Sequence, residues 1–233
     1  MKEILIWSDY ACPFCYIGEK RLKDAISDLG LEKEFNIVYK AFQLNRDAPL
    51  ETPLTIPELL AKKYNLTMEE AIERVKAIDR MGKDVGLDFR YETARSSNTL
   101  DAHRLMKYVE KKGDQKMVEA LNEALFAAYF TDNRNLANHE VLMQLAVNVG
   151  MRTEETSRVL NSKDYTDAVR HDENEAAALG IRGVPYIVFE GKIAVPGAVS
   201  TEEFKEVIRH IMNNEDIKSP EDTQVCDNKG CKI

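Results

Sequence analysis

The constraint that most narrows the fold of this chain is the order of its hydrophobic patterns. Strand-type apolar runs lie only near the two ends, and everything between them has helical period. Ile4-Leu5-Ile6-Trp7 is a short continuous apolar run that meets a turn at Ser8-Asp9-Tyr10. A helix is expected from about Cys12 and Pro13, because proline in a first turn lacks only an N–H that would have no intrahelical partner. Leu22, Ala25, Ile26 and Leu29 continue it at helical spacing, and Gly30 stands where a C-terminal stop belongs. A second strand is predicted over 35–42, with Ile37, Tyr39 and Ala41 on one side.

From 49 to 162 the spacing is helical throughout. Thr67-Met68-Glu69-Glu70 fits a capping box. Further helices are predicted over 99–112, from a cap at Asp114, and over 138–149, each with one apolar stripe to bury. Strand character returns late. A helix over 164–179 stops at Gly180, and then Gly183-Val184-Pro185 leads into Tyr186-Ile187-Val188-Phe189, a turn at Gly191 and Ile193-Ala194-Val195. Thr201 is expected to cap a last amphipathic helix through Phe204, Val207, Ile208 and Ile211. A strand–helix–strand unit and a helix–hairpin–helix unit flanking a helical block fit one α/β core with an insertion better than three domains. The expected division is 1–48 with 163–213 as a discontinuous core, 49–162 as a helical insertion, and 214–233 as a flexible tail.

A formal charge of −8 argues against a nucleic-acid partner, which wants a basic surface. No apolar run approaches the roughly 20 residues that span a bilayer. The N-terminal residues do not have the form of a secretory signal, so the expected compartment is the cytoplasm, where permanent disulfides are uncommon. The four cysteines therefore read as redox-active thiols or as metal ligands.

Cys12-Pro13-Phe14-Cys15 falls where a strand hands over to a helix. Two intervening residues let the sulfurs close a small disulfide. The positive end of a helix favours the thiolate at Cys12, which is the attacking species in thiol–disulfide exchange. Cys12 would attack a substrate disulfide and Cys15 would resolve the mixed disulfide. Pro13 and Phe14 bring no charge of their own. The competing reading makes Cys12 and Cys15 half of a zinc site completed by Cys226 and Cys231. The second pair is spaced loosely for that, and the first begins a helix, so no metal is expected.

Three stretches taken in order resemble the DsbA-like thioredoxin superfamily: Cys12-Pro13-Phe14-Cys15-Tyr16-Ile17-Gly18, Ser97-Asn98-Thr99 with Ala102-His103-Arg104-Leu105, and Gly183-Val184-Pro185. The likeness is to cytosolic FrnE-type disulfide oxidoreductases, relatives of 2-hydroxychromene-2-carboxylate isomerase and kappa-class glutathione transferase. It implies an α/β fold in which a thioredoxin-like core is interrupted by a helical insertion. It also implies a cis Val184–Pro185 bond against the cysteines, with Val184, Pro185, Pro13 and Phe14 at the substrate site. A trans proline at a strand start is the plain alternative. The Pro-Phe dipeptide departs from the Pro-Trp usual in this branch and the Pro-His of periplasmic DsbA, so strong-oxidant behaviour is not carried over. The isomerase and transferase relatives carry serine where Cys12 stands, which favours redox chemistry here.

Cys226 and Cys231 read either as a second redox pair able to exchange with the first or as an exposed pair with no role. Asp9 is open between a proton relay to Cys15 and a turn residue, and His103 between proton handling and plain packing. Tyr10 and Tyr16 are expected to pack. The leading expectation is disulfide exchange with protein thiol and disulfide substrates, with the dithiol itself as redox centre and no other cofactor. One alternative is a glutathione-dependent transferase or isomerase acting on a small aromatic or electrophilic substrate. Another is a metal-binding or redox-sensing protein that uses its thiols without catalysis.

Overall fold

The structure, a computed structural model, describes residues 1–213. The expected tail and its Cys226 and Cys231 lie outside the described residues. In chain order the elements are β1 (Lys2–Ser8), α1 (Pro13–Asp28), β2 (Phe35–Ala41), α2 (Ile56–Tyr64), α3 (Met68–Asp84), α4 (Leu100–Lys112), α5 (Gln115–Phe130), α6 (His139–Asn148), α7 (Thr153–Leu160), α8 (Thr166–Ala178), β3 (Tyr186–Phe189), β4 (Ile193–Pro196) and α9 (Thr201–Met212).

The strands form one sheet in the order β2-β1-β3-β4. β1 runs parallel to β2, which requires a crossover, and α1 supplies it. β1 is antiparallel to β3, with Trp7 opposite Tyr186 and Ile4 opposite Phe189. As an inner strand β1 is covered on both faces, which explains why its sequence is a continuous apolar run without alternation. Ile4 and Ile6 enter the main core with Ile17 and Leu22 of α1 and Phe204 and Ile208 of α9. Leu5 and Trp7 point the other way and pack with Ala176 of α8 and Ile181. Burying the indole leaves an N–H to satisfy, and Trp7 Nε1 donates to the Asp172 carbonyl of α8 at 3.1 Å.

Helices α2 to α7 share the main core with the sheet. Tyr16 of α1 stacks on Phe126 of α5 at 4.8 Å between ring centroids, and Phe89 stacks on Phe130 at 4.8 Å. Tyr10 and Tyr16 thus pack, as expected. A Cβ at Gly82 of α3 would lie 2.9 Å from the Phe89 ring, so the close approach of α3 to this stack needs a glycine.

The caps follow the sequence with one correction. Thr67 and Asp114 cap α3 and α5 as predicted. The cap of α9 is Ser200, not Thr201: Ser200 is extended, its hydroxyl accepts from Glu203 N–H at 3.2 Å, and its own N–H donates to the Glu203 carboxylate at 2.7 Å. Thr201 is the first residue inside the helix. Ser8, read as a turn residue, is the last residue of β1 and pairs with Ala41.

Arg104 of α4 is the main polar tie within the helices. Only 3% exposed, it donates to the carbonyls of Asp164 at 2.8 Å and Ser162 at 2.6 Å, to the Val159 carbonyl, and to Asp101 Oδ1 at 2.6 Å. It thereby adds a donor to the Val159 carbonyl in the last turn of α7 and to two carbonyls of the segment that leads from α7 to α8. Arg104→Ala is expected to destabilise the fold by about 3 kcal/mol, lowering Tm by on the order of 10 °C in thermal unfolding. Arg104→Lys should recover only part of this, since an ammonium lacks the planar fork. A change in Tm below about 2 °C for Arg104→Ala would remove the tie from the account.

Candidate functional site

The site forms where β1 ends and β3 begins. Beyond Ser8 the chain turns through Asp9, Tyr10 and Ala11, with Cys12 N–H donating to the Asp9 carbonyl at 2.9 Å. The Asp9 carboxylate fixes the turn from inside. Its Oδ1 accepts from Ala11 N–H at 3.3 Å and its Oδ2 from Leu44 N–H at 2.7 Å. Cys12 is the N-cap residue of α1, and Pro13 opens the helix. The first turn carries no acidic residue, so no carboxylate offsets the positive end of the helix dipole beside Cys12.

Both cysteines are free thiols and both are buried, Cys12 3% and Cys15 2% exposed. Cys15 N–H donates to the Cys12 carbonyl at 3.1 Å, so the two residues share the first turn at the start of α1. Cys12 Sγ–H donates to the Val184 carbonyl at 3.5 Å. Val184–Pro185 is cis, as the resemblance implied. Gly18 of α1 allows the close fit behind it: a Cβ there would stand 3.3 Å from both Pro185 and Ala198. Pro13 is buried and Phe14 half-buried against the core, so Phe14 is the more exposed of the two residues between the cysteines.

Burial pushes the Cys15 thiol well above its ordinary value, and the neighbouring Cys12 adds to this. The nearby Asp9 backbone and Ser8 hydroxyl act against it. Cys15 therefore ionises reluctantly.

Asp9 and His103 come together. His103 of α4 is 4% exposed, with Nε2 3.6 Å from Asp9 Oδ1 and its ring 4.8 Å from the Tyr10 ring. It is neither on the helix surface nor in an apolar niche. A buried polar cluster continues from there: Asn122 accepts from Tyr10 OH at 3.3 Å and donates to Glu19 at 2.6 Å, and Glu19 also accepts from Tyr39 OH at 2.9 Å and pairs with Lys23 at 2.6 Å.

A cleft of about 630 Å³ opens beside the turn. Asp9 and Ala11 line it together with Ile56 and Leu60 of α2 and the phenols of Tyr91 and Tyr129, and Lys62 and Lys63 supply its cations. The sequence reading did not place this cleft, because much of its wall is loop without periodicity and the rest comes from the short helix α2 and from Tyr129 of α5, far apart in the chain. One signal for it was present in Asn98. That residue's Nδ2 donates to the Arg46 and Ala48 carbonyls at 3.1 Å each, and its N–H to the Pro49 carbonyl at 3.1 Å, which clips the cleft wall to the start of α4. Among the described residues no three His, Cys, Asp or Glu side chains gather as a metal site, and no helix is long and apolar enough to cross a membrane.

Comparison with known proteins agrees with this geometry. The family described as DSBA-like thioredoxin domain matches residues 3–209. A solved structure of a probable DsbA oxidoreductase from Streptomyces coelicolor is 30% identical, with a TM-score of 0.86 and coverage of 100% of this chain and 99% of that one. The uncharacterized protein YwbO of Bacillus subtilis is 25% identical over 215 residues, 88% of this chain and 94% of that protein. The cytosolic disulfide reductase DsbM from Pseudomonas aeruginosa, solved with GSH, shares the fold at 13% identity, with a TM-score of 0.59 over 91% of this chain and 99% of its own.

The thiolate is the species that alkylates, so burial of Cys15 has a direct readout. In a Cys12→Ser variant, iodoacetamide labelling of Cys15, followed by peptide mass spectrometry, is expected to be slow at neutral pH. The rate should climb about tenfold per pH unit as the thiol begins to ionise. Labelling at neutral pH as fast as that of free cysteine would contradict a burial-raised thiol.

Proposed function

Because the chain belongs to the DsbA-like thioredoxin domain family, we propose that it is a thiol–disulfide oxidoreductase exchanging disulfides with protein substrates through Cys12 and Cys15. The observation that carries the reading is the pair itself. Two free, buried thiols share the first turn at the start of α1, one facing the Val184 carbonyl and the other held protonated by burial. Cys12 is the nucleophile. Its thiolate attacks one sulfur of a substrate disulfide, forming a mixed disulfide and releasing the other substrate sulfur as a thiolate. Cys15 then attacks the Cys12 sulfur and frees the substrate. Run in reverse, the same steps oxidise a substrate dithiol. Val184, Pro185 and Phe14 border the approach to Cys12. The dithiol carries both electrons, so the scheme calls on no further cofactor, and the proposed setting is the cytoplasm.

A second reading has one specific support. The 630 Å³ cleft beside Ala11 is mostly apolar with Lys62 and Lys63 among its lining, a fit for a small co-substrate with carboxylates such as glutathione. In that reading Cys12 exchanges with glutathione and a small electrophile occupies the cleft.

Differential alkylation with mass spectrometry after equilibration across glutathione redox buffers separates the two. Under the first reading Cys12 and Cys15 titrate together as a two-electron couple, with a tenfold change in ratio for about 30 mV. Cys12→Ser should abolish turnover of a protein disulfide, and Cys15→Ser should accumulate a Cys12 mixed disulfide. If Cys12 collects only a glutathione adduct while Cys15 stays reduced, dithiol exchange fails and the glutathione reading replaces it.

A further inference from the structure

Beyond its cysteines α1 carries Gly18 and, one turn further on the same face, Arg21. A Cβ at Gly18 would stand 3.3 Å from both Pro185 and Ala198, so this face of the helix meets the Pro185 ring and the loop between β4 and α9 directly. Half-buried Arg21 reaches the same loop. Its Nη1 donates to the Ala198 carbonyl at 2.7 Å and to the Val199 carbonyl at 3.4 Å, the first much the stronger bond. The loop in turn holds Pro185, because Gly197 N–H donates to the Pro185 carbonyl at 2.8 Å. Gly197 has a φ of 83°, so the bend that aims this N–H at Pro185 uses the left-handed region that glycine enters freely. Val184 precedes Pro185, and its carbonyl accepts from Cys12 Sγ–H at 3.5 Å. One line of contacts therefore joins Arg21 to Cys12 through Ala198, Gly197, Pro185 and Val184.

Anchoring α9 does not account for Arg21. Phe204 and Ile208 already seat that helix in the main core with Ile17 and Leu22 of α1, and Ser200 with Glu203 closes its first turn. The side chains of 197–199 are a hydrogen, a methyl and an isopropyl group, none able to hydrogen-bond. Beyond modest apolar packing, the position of this loop rests on bonds to its backbone, and a charged donor makes the firmer kind. We propose that Arg21 is a positioning residue for disulfide exchange: it clamps the 197–199 loop to α1 and so holds Val184 beside Cys12 where a protein substrate is received.

The inference rests on the dithiol-exchange reading and concerns how that reaction selects its substrate. Arg21 touches no reacting atom and acts only through the loop and Pro185. A protein disulfide brings chain on either side of its cysteine, and that chain must lie against Val184 before the sulfurs meet. A small disulfide reaches the Cys12 sulfur without doing so. Releasing the clamp therefore penalises the protein substrate and largely spares the small one. A fault in the fold, or in the cysteines themselves, slows both alike.

The test compares the rates at which the reduced full chain is oxidised by insulin and by the small aromatic disulfide DTNB. Formation of the Cys12–Cys15 disulfide is read by acid quench, alkylation and peptide mass spectrometry. Arg21→Met, which keeps the apolar stem and removes the donors, should lower the insulin-to-DTNB rate ratio about tenfold through misplacement of Val184. Arg21→Lys should restore most of the ratio, since one nitrogen makes both bonds. Gly18→Ala pushes on Pro185 and Ala198 with Arg21 intact and should lower the ratio as well, which keeps the test decisive if Arg21→Met folds poorly. Because both changes act on one contact, the double variant should lose less than the product of the single losses. A ratio unchanged in Arg21→Met or in Gly18→Ala, or equal losses toward both disulfides, overturns the clamp while leaving dithiol exchange standing. Wild type oxidised by DTNB but not by insulin fails the reading of exchange with protein substrates, and the clamp with it.

Discussion

The antiparallel pairing of β1 with β3 is the constraint on which the rest of the site depends. Because the two strands run in opposite directions and Trp7 sits opposite Tyr186, the end of β1 and the beginning of β3 meet at the same end of the sheet. The Cys12 turn leaves from the first and the Val184–Pro185 segment enters the second, so 172 residues of separation close to a 3.5 Å contact between Cys12 Sγ and the Val184 carbonyl. The register itself is pinned by burial. A one-residue slip would exchange Ile4 and Ile6, which face the main core, with Leu5 and Trp7, which face α8, and would unseat the indole from the Asp172 carbonyl.

The helices between β2 and α8 then act on an arrangement already defined by the sheet. The aromatic stack from Tyr16 through Phe126 to Phe130 fixes α1, which carries both cysteines, against α5. Asn98 draws the segment after β2 onto α4, so the wall of the cleft is tied to the same helix that carries His103. The cleft, the cysteine turn and the buried histidine are thereby coupled through α4 and α5 and not through the sheet alone.

Much of this was legible in the sequence, for physical reasons that also mark where legibility stops. β1, α1, the hairpin and the capped helices α3 and α5 are governed by local spacing and by caps a few residues away, and these appear in one chain segment at a time. The Cys12 and Cys15 pair at a strand-to-helix handover is equally local. The short helices α2 and α7 were submerged in a general helical pattern, since two turns give little periodicity to read. The role of Arg104 depends on carbonyls more than fifty residues away, and that of His103 on Asp9 ninety-four positions earlier. Nothing in a residue's own neighbourhood announces such a partner. For the same reason Ser8 was read as turn punctuation, though it closes β1 by pairing with Ala41 of β2, thirty-three positions on.

The distribution of unsatisfied polar atoms shows where the fold accepts a cost. Among the described residues five buried side-chain atoms lack a hydrogen-bonding partner, and four of them, on Ser8, Glu19, His103 and Glu110, belong to residues clustered around Tyr10, Tyr39 and the active-site turn. Each such group costs about 1–3 kcal/mol in desolvation, a loss that apolar residues of similar size would avoid. By contrast Leu121, Leu125, Phe126 and Phe130 on α5 are fully buried with no polar side-chain atom to satisfy. A chain shaped only for stability would spread such defects thinly or remove them. Here four of the five fall in the buried polar cluster around Tyr10 and Tyr39, so the loss is confined to one part of the fold.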